Sequence, residues 1–157
     1  MAGWQVEFHV VPRQALPTTP RLIAAATLDA DWWKGRPFPP DYRERLAAAA
    51  LPADSPGEGL ERWGAEEGNR VDVQSERGRV GRVTARVDVR QLDPRFGAAL
   101  LVFVRAASAV LVRGDGFVVE PTINAFSGAL RSSSAWRFAN DTATFLQNRA
   151  AIEQDDE

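Results

Sequence analysis

No cysteine occurs in the 157 residues, so neither a disulfide nor a thiolate metal site is open to this chain. Histidine is nearly as scarce: His9 is the single one, which excludes a histidine-rich zinc site within one chain. A metal could come only through carboxylates, and the two adjacent pairs, Asp29 with Asp31 and Glu66 with Glu67, lack the spacing of a calcium loop. No metal and no cofactor is expected. A glycine-rich phosphate loop, a nucleophile elbow and a dinucleotide fingerprint are all missing; the Gly78-x-x-Gly81 spacing falls in a hairpin, where glycine serves a turn or a bulge. No apolar run approaches the length of a membrane span, and the first residues carry no basic start followed by an apolar stretch. The expectation is a soluble cytoplasmic protein with no membrane partner. A formal net charge of -2 gives no general electrostatic reason to bind nucleic acid.

What is present organises itself around residues 79–119. Val83, Ala85, Val87 and Val89 alternate with Thr84, Arg86, Asp88 and Arg90, the pattern of a strand with one buried face. Asp93-Pro94 supplies a helix N-cap and a proline at the first helical position. Phe96, Leu100, Leu101, Phe103, Val104 and Ala107 then fill so much of the next helix that it is predicted to lie wholly in the core. The same alternation marks a strand over 4–11, with Trp4, Val6, Phe8 and Val10 on one face and Gln5, Glu7 and His9 on the other. A further strand over 70–75 closes a hairpin onto the long one through Glu76-Arg77-Gly78. Two more, 109–112 and 117–119, flank Arg113-Gly114-Asp115-Gly116; its Asp-Gly pair explains an apparent adhesion tripeptide as turn chemistry.

Helices are predicted over 42–51, from Thr122 to Arg131, and from Asp141 or Thr142 through Ile152, with an acidic end, 153–157, that frays. Residues 20–28 read equally as a short helix or as irregular chain. Residues 52–59 hold no large apolar side chain and read as a mobile loop inside one domain spanning 1–157. The fold class is α+β: a mainly antiparallel sheet of about five strands, a buried central helix over 94–107 on one face, and C-terminal helices beside it. The predicted core comprises Trp4, Val6, Phe8, Val71, Val83, Val87, Phe96, Leu100, Phe103, Leu111, Val119, Phe126, Trp136 and Phe145.

Three sets of residues are candidates for function. The oddest segment, 29–40, combines Trp32 and Trp33 with Lys34, Arg36, Phe38 and a proline cluster; prolines forbid regular pairing, so it is a loop. Aromatics there either close an open end of the core or anchor a partner, and the candidate anchors are Trp32, Trp33, Arg36 and Phe38. Among the positive residues only Lys34 is not arginine. Arg70, Arg77, Arg79, Arg82 and Arg86 gather near one hairpin, as either coding bias or a phosphate-binding stripe. Finally, the polar sheet face offers His9 with Glu7, Asp72, Arg86 and Asp88, the parts of a general acid-base site if they converge in a concavity.

In general character the chain is similar to small bacterial accessory proteins, including immunity proteins that neutralise toxins, a likeness of type that transfers no site. The expected function is accordingly a non-catalytic protein-binding module whose partner is another protein. The alternative is a small hydrolase or phosphoester-acting enzyme using His9 and the carboxylates of the polar face.

Overall fold

β1 (Gln5–Pro12) lies in the interior of the sheet, with both of its edges paired and side chains of both faces buried. In the computed structural model, which describes residues 3–16, 21–48 and 52–140, β1 pairs with β5 (Arg79–Asp88) on one side and β6 (Ala109–Arg113) on the other. Five further elements complete the sheet and its cover: β2 (Ala53–Gly57), β3 (Leu60–Gly64), β4 (Arg70–Glu76), β7 (Val118–Val119) and α1 (Tyr42–Ala48). The seven strands run in the order β2-β3-β4-β5-β1-β6-β7, and every pairing is antiparallel.

The α+β class stands, but the sheet has seven strands rather than about five. The two unforeseen strands are β2 and β3. Residues 52–59, read from composition as a loop, supply β2, which contains Pro56 and a register shift between Asp54 and Gly57. A proline without an N–H and a bulge are tolerated because β2 is an edge strand, exposed along its whole length.

Val6, Phe8, Val10, Val71, Val73, Val83, Ala85, Val87 and Leu111 form the inner face of the sheet. Over it lie α1, α2 (Pro94–Ala106) and α3 (Ile123–Arg131). The side chain of Asp93 accepts from the Arg95 amide and caps α2, as Thr122 does for α3 through the Ala125 amide. Helix α2 is not a buried central helix: Phe96, Leu100, Phe103 and Val104 are inside, whereas Ala98, Val102 and Arg105 face outward. One apolar stripe is enough to cover a sheet, and the apolar residues on its far side are alanine and valine, cheap to leave wet. Of the predicted core, Trp4 and Trp136 are half-buried at its margin, and Phe145 lies outside the described residues, as do the last predicted helix and the acidic tail. Residues 134–140 are helical; in the 20–28 region a 3-10 turn spans Ala25–Thr27.

A second, smaller cluster occupies the opposite face. Val11, Val110 and Val112 are covered there by Leu28, with Leu16, Ile23 and Trp32 against them. The Ile23 amide donates to the Gly116 carbonyl at 2.8 Å. Gly116 has φ +93, and a Cβ on it would stand 2.0 Å from the Ile23 carbonyl oxygen, so only glycine fits this crossing. On that face the end of β1 at Val11, with β6 and β7, is therefore covered, while Glu7 and His9 of β1 join β3, β4 and β5 in a polar half.

Segment 28–40 joins the two sides. The Trp33 amide donates to Gly81 O and its indole Nε1 to Val10 O at 2.8 Å, so Trp33 wedges in where β1 and β5 diverge. Its ring meets Phe38 edge-on, and Phe38 in turn meets Tyr42 and Phe103. Trp32 lies between the two hydrophobic clusters and donates its indole N–H to Leu28 O.

Candidate functional site

Two regions bring the candidate residues together. The first is an open cleft of about 1080 Å³ between the 33–43 segment, the β2–β3 turn and the β4–β5 hairpin tip. Trp33, Arg36 and Phe38 line it, three of the four expected anchors, while Trp32 is half-buried between the two hydrophobic clusters and is not part of the lining. Trp33 is only 2% exposed, so its indole belongs to the core; what this segment offers a partner is Arg36 and the rim of Phe38.

Charge within the cleft divides into a satisfied part and an unsatisfied one. Glu61 accepts from the Tyr42 hydroxyl at 2.9 Å and from Arg43 at 2.6 Å. The Arg43 hydrogen bonds hold the Glu61 carboxyl below its usual range, and burial, followed by the bond to Glu61, pushes Tyr42 up to about 12. Arg36, Arg77 and Arg79, by contrast, are exposed and make no ion pair among the described residues, and the same is true of Glu58 and Glu76 on the same lining, so the unpaired rim charge is three positive to two negative. Arg77 and Gly78 form the two-residue turn between β4 and β5 with φ +53 and +76, the conformation of a type I′ hairpin. Asn or Gly is the low-cost residue at the first of these positions, and an arginine there carries about 1 kcal/mol of backbone strain.

The second region is the polar sheet face, where cross-strand register sets the neighbours. One row runs Arg62, Asp72, Thr84, His9 and the next Gly64, Arg70, Arg86, Glu7. Asp72 binds Arg62 Nε through Oδ1 at 3.3 Å and Arg70 Nη2 through Oδ2 at 3.1 Å. Asp88 is bound by the Arg90 amide and guanidinium, which directs it away from His9. Glu7 and His9 are close, with His9 Nε2 3.8 Å from Glu7 Oε1. The His9 side chain is only 5% exposed, and its buried Nδ1 has no hydrogen-bond partner among the described residues. Thus His9 and Glu7 converge, Asp72 lies two strands away on the far side of Thr84, and Asp88 is engaged elsewhere.

Burial, the largest influence, lowers the His9 pKa from its ordinary 6.5, against the opposing pull of Glu7 and Asp29. A group whose folded pKa is depressed binds protons more readily in the unfolded chain, so its contribution to stability is complete above the unfolded value near 6.5 and shrinks as pH falls below it. The thermal midpoint should therefore fall between pH 7 and pH 5 more steeply in the wild type than in His9→Gln. Parallel curves for the two proteins would show that the imidazole takes up its proton without leaving its seat.

Among the described residues no group of three or more histidine, cysteine, aspartate or glutamate side chains could hold a metal ion, and no helix is long and apolar enough to cross a membrane. The guanidinium of Arg113 is held by Asp115, Ala129 O and Ser132 Oγ, so the Arg-Gly-Asp turn presents a tethered arginine. Comparison with known proteins finds no match to any family model, curated sequence or solved structure.

Sequence reasoning singled out neither Tyr42 and Glu61 nor the β2–β3 turn as parts of a cleft. The one local signal was Arg77 in a turn that favours asparagine or glycine.

Proposed function

We propose that this chain is a non-catalytic protein-binding module that receives an acidic segment of another protein in the cleft between the 33–43 segment and the two hairpin tips. The observation that carries the reading is the pairing of an aromatic floor, Phe38 and Tyr42, with a rim whose unpaired charges, Arg36, Arg77 and Arg79 against Glu58 and Glu76, are positive in balance among the described residues. Interfaces favour aromatic and arginine side chains, and cations held out over an apolar floor give both anchor and charge selection. Arg77 strengthens the reading, because backbone strain retained at an exposed position is characteristic of residues kept for what they touch.

A photo-crosslinking residue in place of Glu76, an exposed strand position at the rim, is expected to capture one partner in the native host, and the same residue in place of Arg95 on α2 is not. Arg77→Asn should stabilise the fold by about 1 kcal/mol through relief of the αL strain while reducing that capture. Equal capture at both positions, or capture unchanged by Arg77→Asn together with Arg36→Glu, would remove the cleft from consideration.

A further inference from the structure

The polar sheet face is walled at both ends. Over one end folds the 65–69 turn, held by Gln5 Nε2 to Gly68 O at 2.8 Å, Trp4 Nε1 to Glu67 O at 3.1 Å and Arg70 Nη1 to Glu66 O at 2.9 Å. Over the other folds the 28–33 segment, with Arg82 Nη2 donating to Asp29 O at 3.0 Å. Glu7, Thr84 and Arg86 form the floor between them.

Charge on this floor does not balance. Asp72 spends both oxygens on Arg62 and Arg70, and the one other acid in these two rows, Glu7, has its carboxylate within 3.8 Å of His9. Arg86 stands between Arg70 and Glu7 in the register, yet it forms no hydrogen bond or ion pair among the described residues, and its buried Nε is unpartnered. Arg70, 4% exposed, has its pKa lowered by burial first, with Arg86 and Arg62 pushing the same way. Three guanidinium groups stand against two carboxylates, Asp72 fully shared and Glu7 across from Arg86 without reaching it, which leaves a net positive seat in which the planar fork of Arg86, with free donors, is suited to an oxyanion.

We propose that Arg86, in the field of Arg70 and Arg62, binds a phosphoryl group, free or at the end of a small ligand, and that Glu7 selects the protonated form of that group. Glu7 is an acceptor only, so it hydrogen-bonds a P–OH and repels an anion that has no proton. Inorganic phosphate keeps such a proton at neutral pH in both of its common forms; a phosphomonoester, with a second pKa of about 6, keeps it in only a minority of molecules there, and sulfate has none. The site lies on the sheet face opposite the helices and does not depend on the cleft reading.

Isothermal titration of the full chain with inorganic phosphate and with sulfate, at pH 7 and matched ionic strength, tests this. Phosphate should bind at least tenfold more tightly than sulfate. Arg86→Gln should weaken phosphate about 10- to 100-fold, the loss of charged hydrogen bonds, and without ligand should melt no lower than the wild type, since it removes an unpaired charge. Glu7→Gln should bring phosphate and sulfate within about threefold of each other, because the amide can donate to either anion. Phosphoserine binding that tightens about tenfold from pH 7 to pH 5, as its protonated monoanion accumulates, identifies a ligand's terminal group; its rejection at both pH values assigns the site to the free ion. No phosphate binding, binding unchanged in Arg86→Gln, or a lower melting point for that variant overturns the proposal, and equal wild-type affinity for sulfate overturns the role of Glu7.

Discussion

Trp33→Ala should cost about 3–5 kcal/mol in denaturant unfolding for the lost ring alone, making it one of the two most damaging single changes in the chain. The indole is packed against Phe38 at 4.8 Å between ring centroids, and its removal leaves a cavity beside Phe38, the ring that Tyr42 and Phe103 meet in turn. It also orphans the Val10 carbonyl, which the indole N–H satisfies at 2.8 Å inside the sheet; an unsatisfied buried acceptor adds about 1–3 kcal/mol. Trp33→Phe separates the two effects, since it keeps most of the volume and loses only the N–H. The neighbouring Trp32→Ala should cost clearly less, because that ring is half-buried and its N–H bonds a carbonyl within its own turn. Equal losses at Trp32 and Trp33 would mean that the segment, rather than the wedge between β1 and β5, is what matters.

Asp72→Ala is expected to be comparably severe for an electrostatic reason. Its carboxylate is shared by Arg62 and Arg70, and the Arg70 side chain is only 5% exposed. Removing one partner of a buried ion pair leaves uncompensated charge and costs about 3–5 kcal/mol. Here the charge left behind would be a cluster of three arginines on two neighbouring rows, Arg62 on one and Arg70 with Arg86 on the next. The double change Asp72→Ala with Arg70→Met should recover most of that loss, because it removes the most deeply buried cation along with its counter-ion. A double variant as unstable as the single one would place the cost in side-chain packing instead of charge.

These two residues show what was legible beforehand. Strict alternation located β1, β4 and β5 and assigned their faces correctly, so Asp72 and Arg86 were expected on the polar side and Val83 and Val87 in the core. The N-cap at Asp93 and the turn residues Asp115-Gly116 were readable from local chemistry for the same reason: their partners are a few residues away. Strands β2 and β3 were not, since Pro56 and Gly57 argue against a strand and pairing at an edge overrides them. The wedge made by Trp33 was also hidden, because its partners, Val10 and Gly81, are distant in sequence and sit on two different strands. The cleft is assembled from three segments with no shared motif. Polarity at Arg86 was visible, but the lack of an acid in reach depends on where Glu7 and Asp72 aim their oxygens.

The order of the strands bears on how the chain acquires its shape. β1 has no neighbour in the sheet that is near it in sequence: Gln5 lies opposite Asp88, and Pro12 opposite Ala109. β2 through β5 can zip as successive hairpins from local contacts, whereas β1 can close only large loops, at a high entropic cost. During synthesis its apolar face must wait, uncovered, until β5 and then β6 have left the ribosome, which makes it the segment most exposed to mispairing and to chaperone capture.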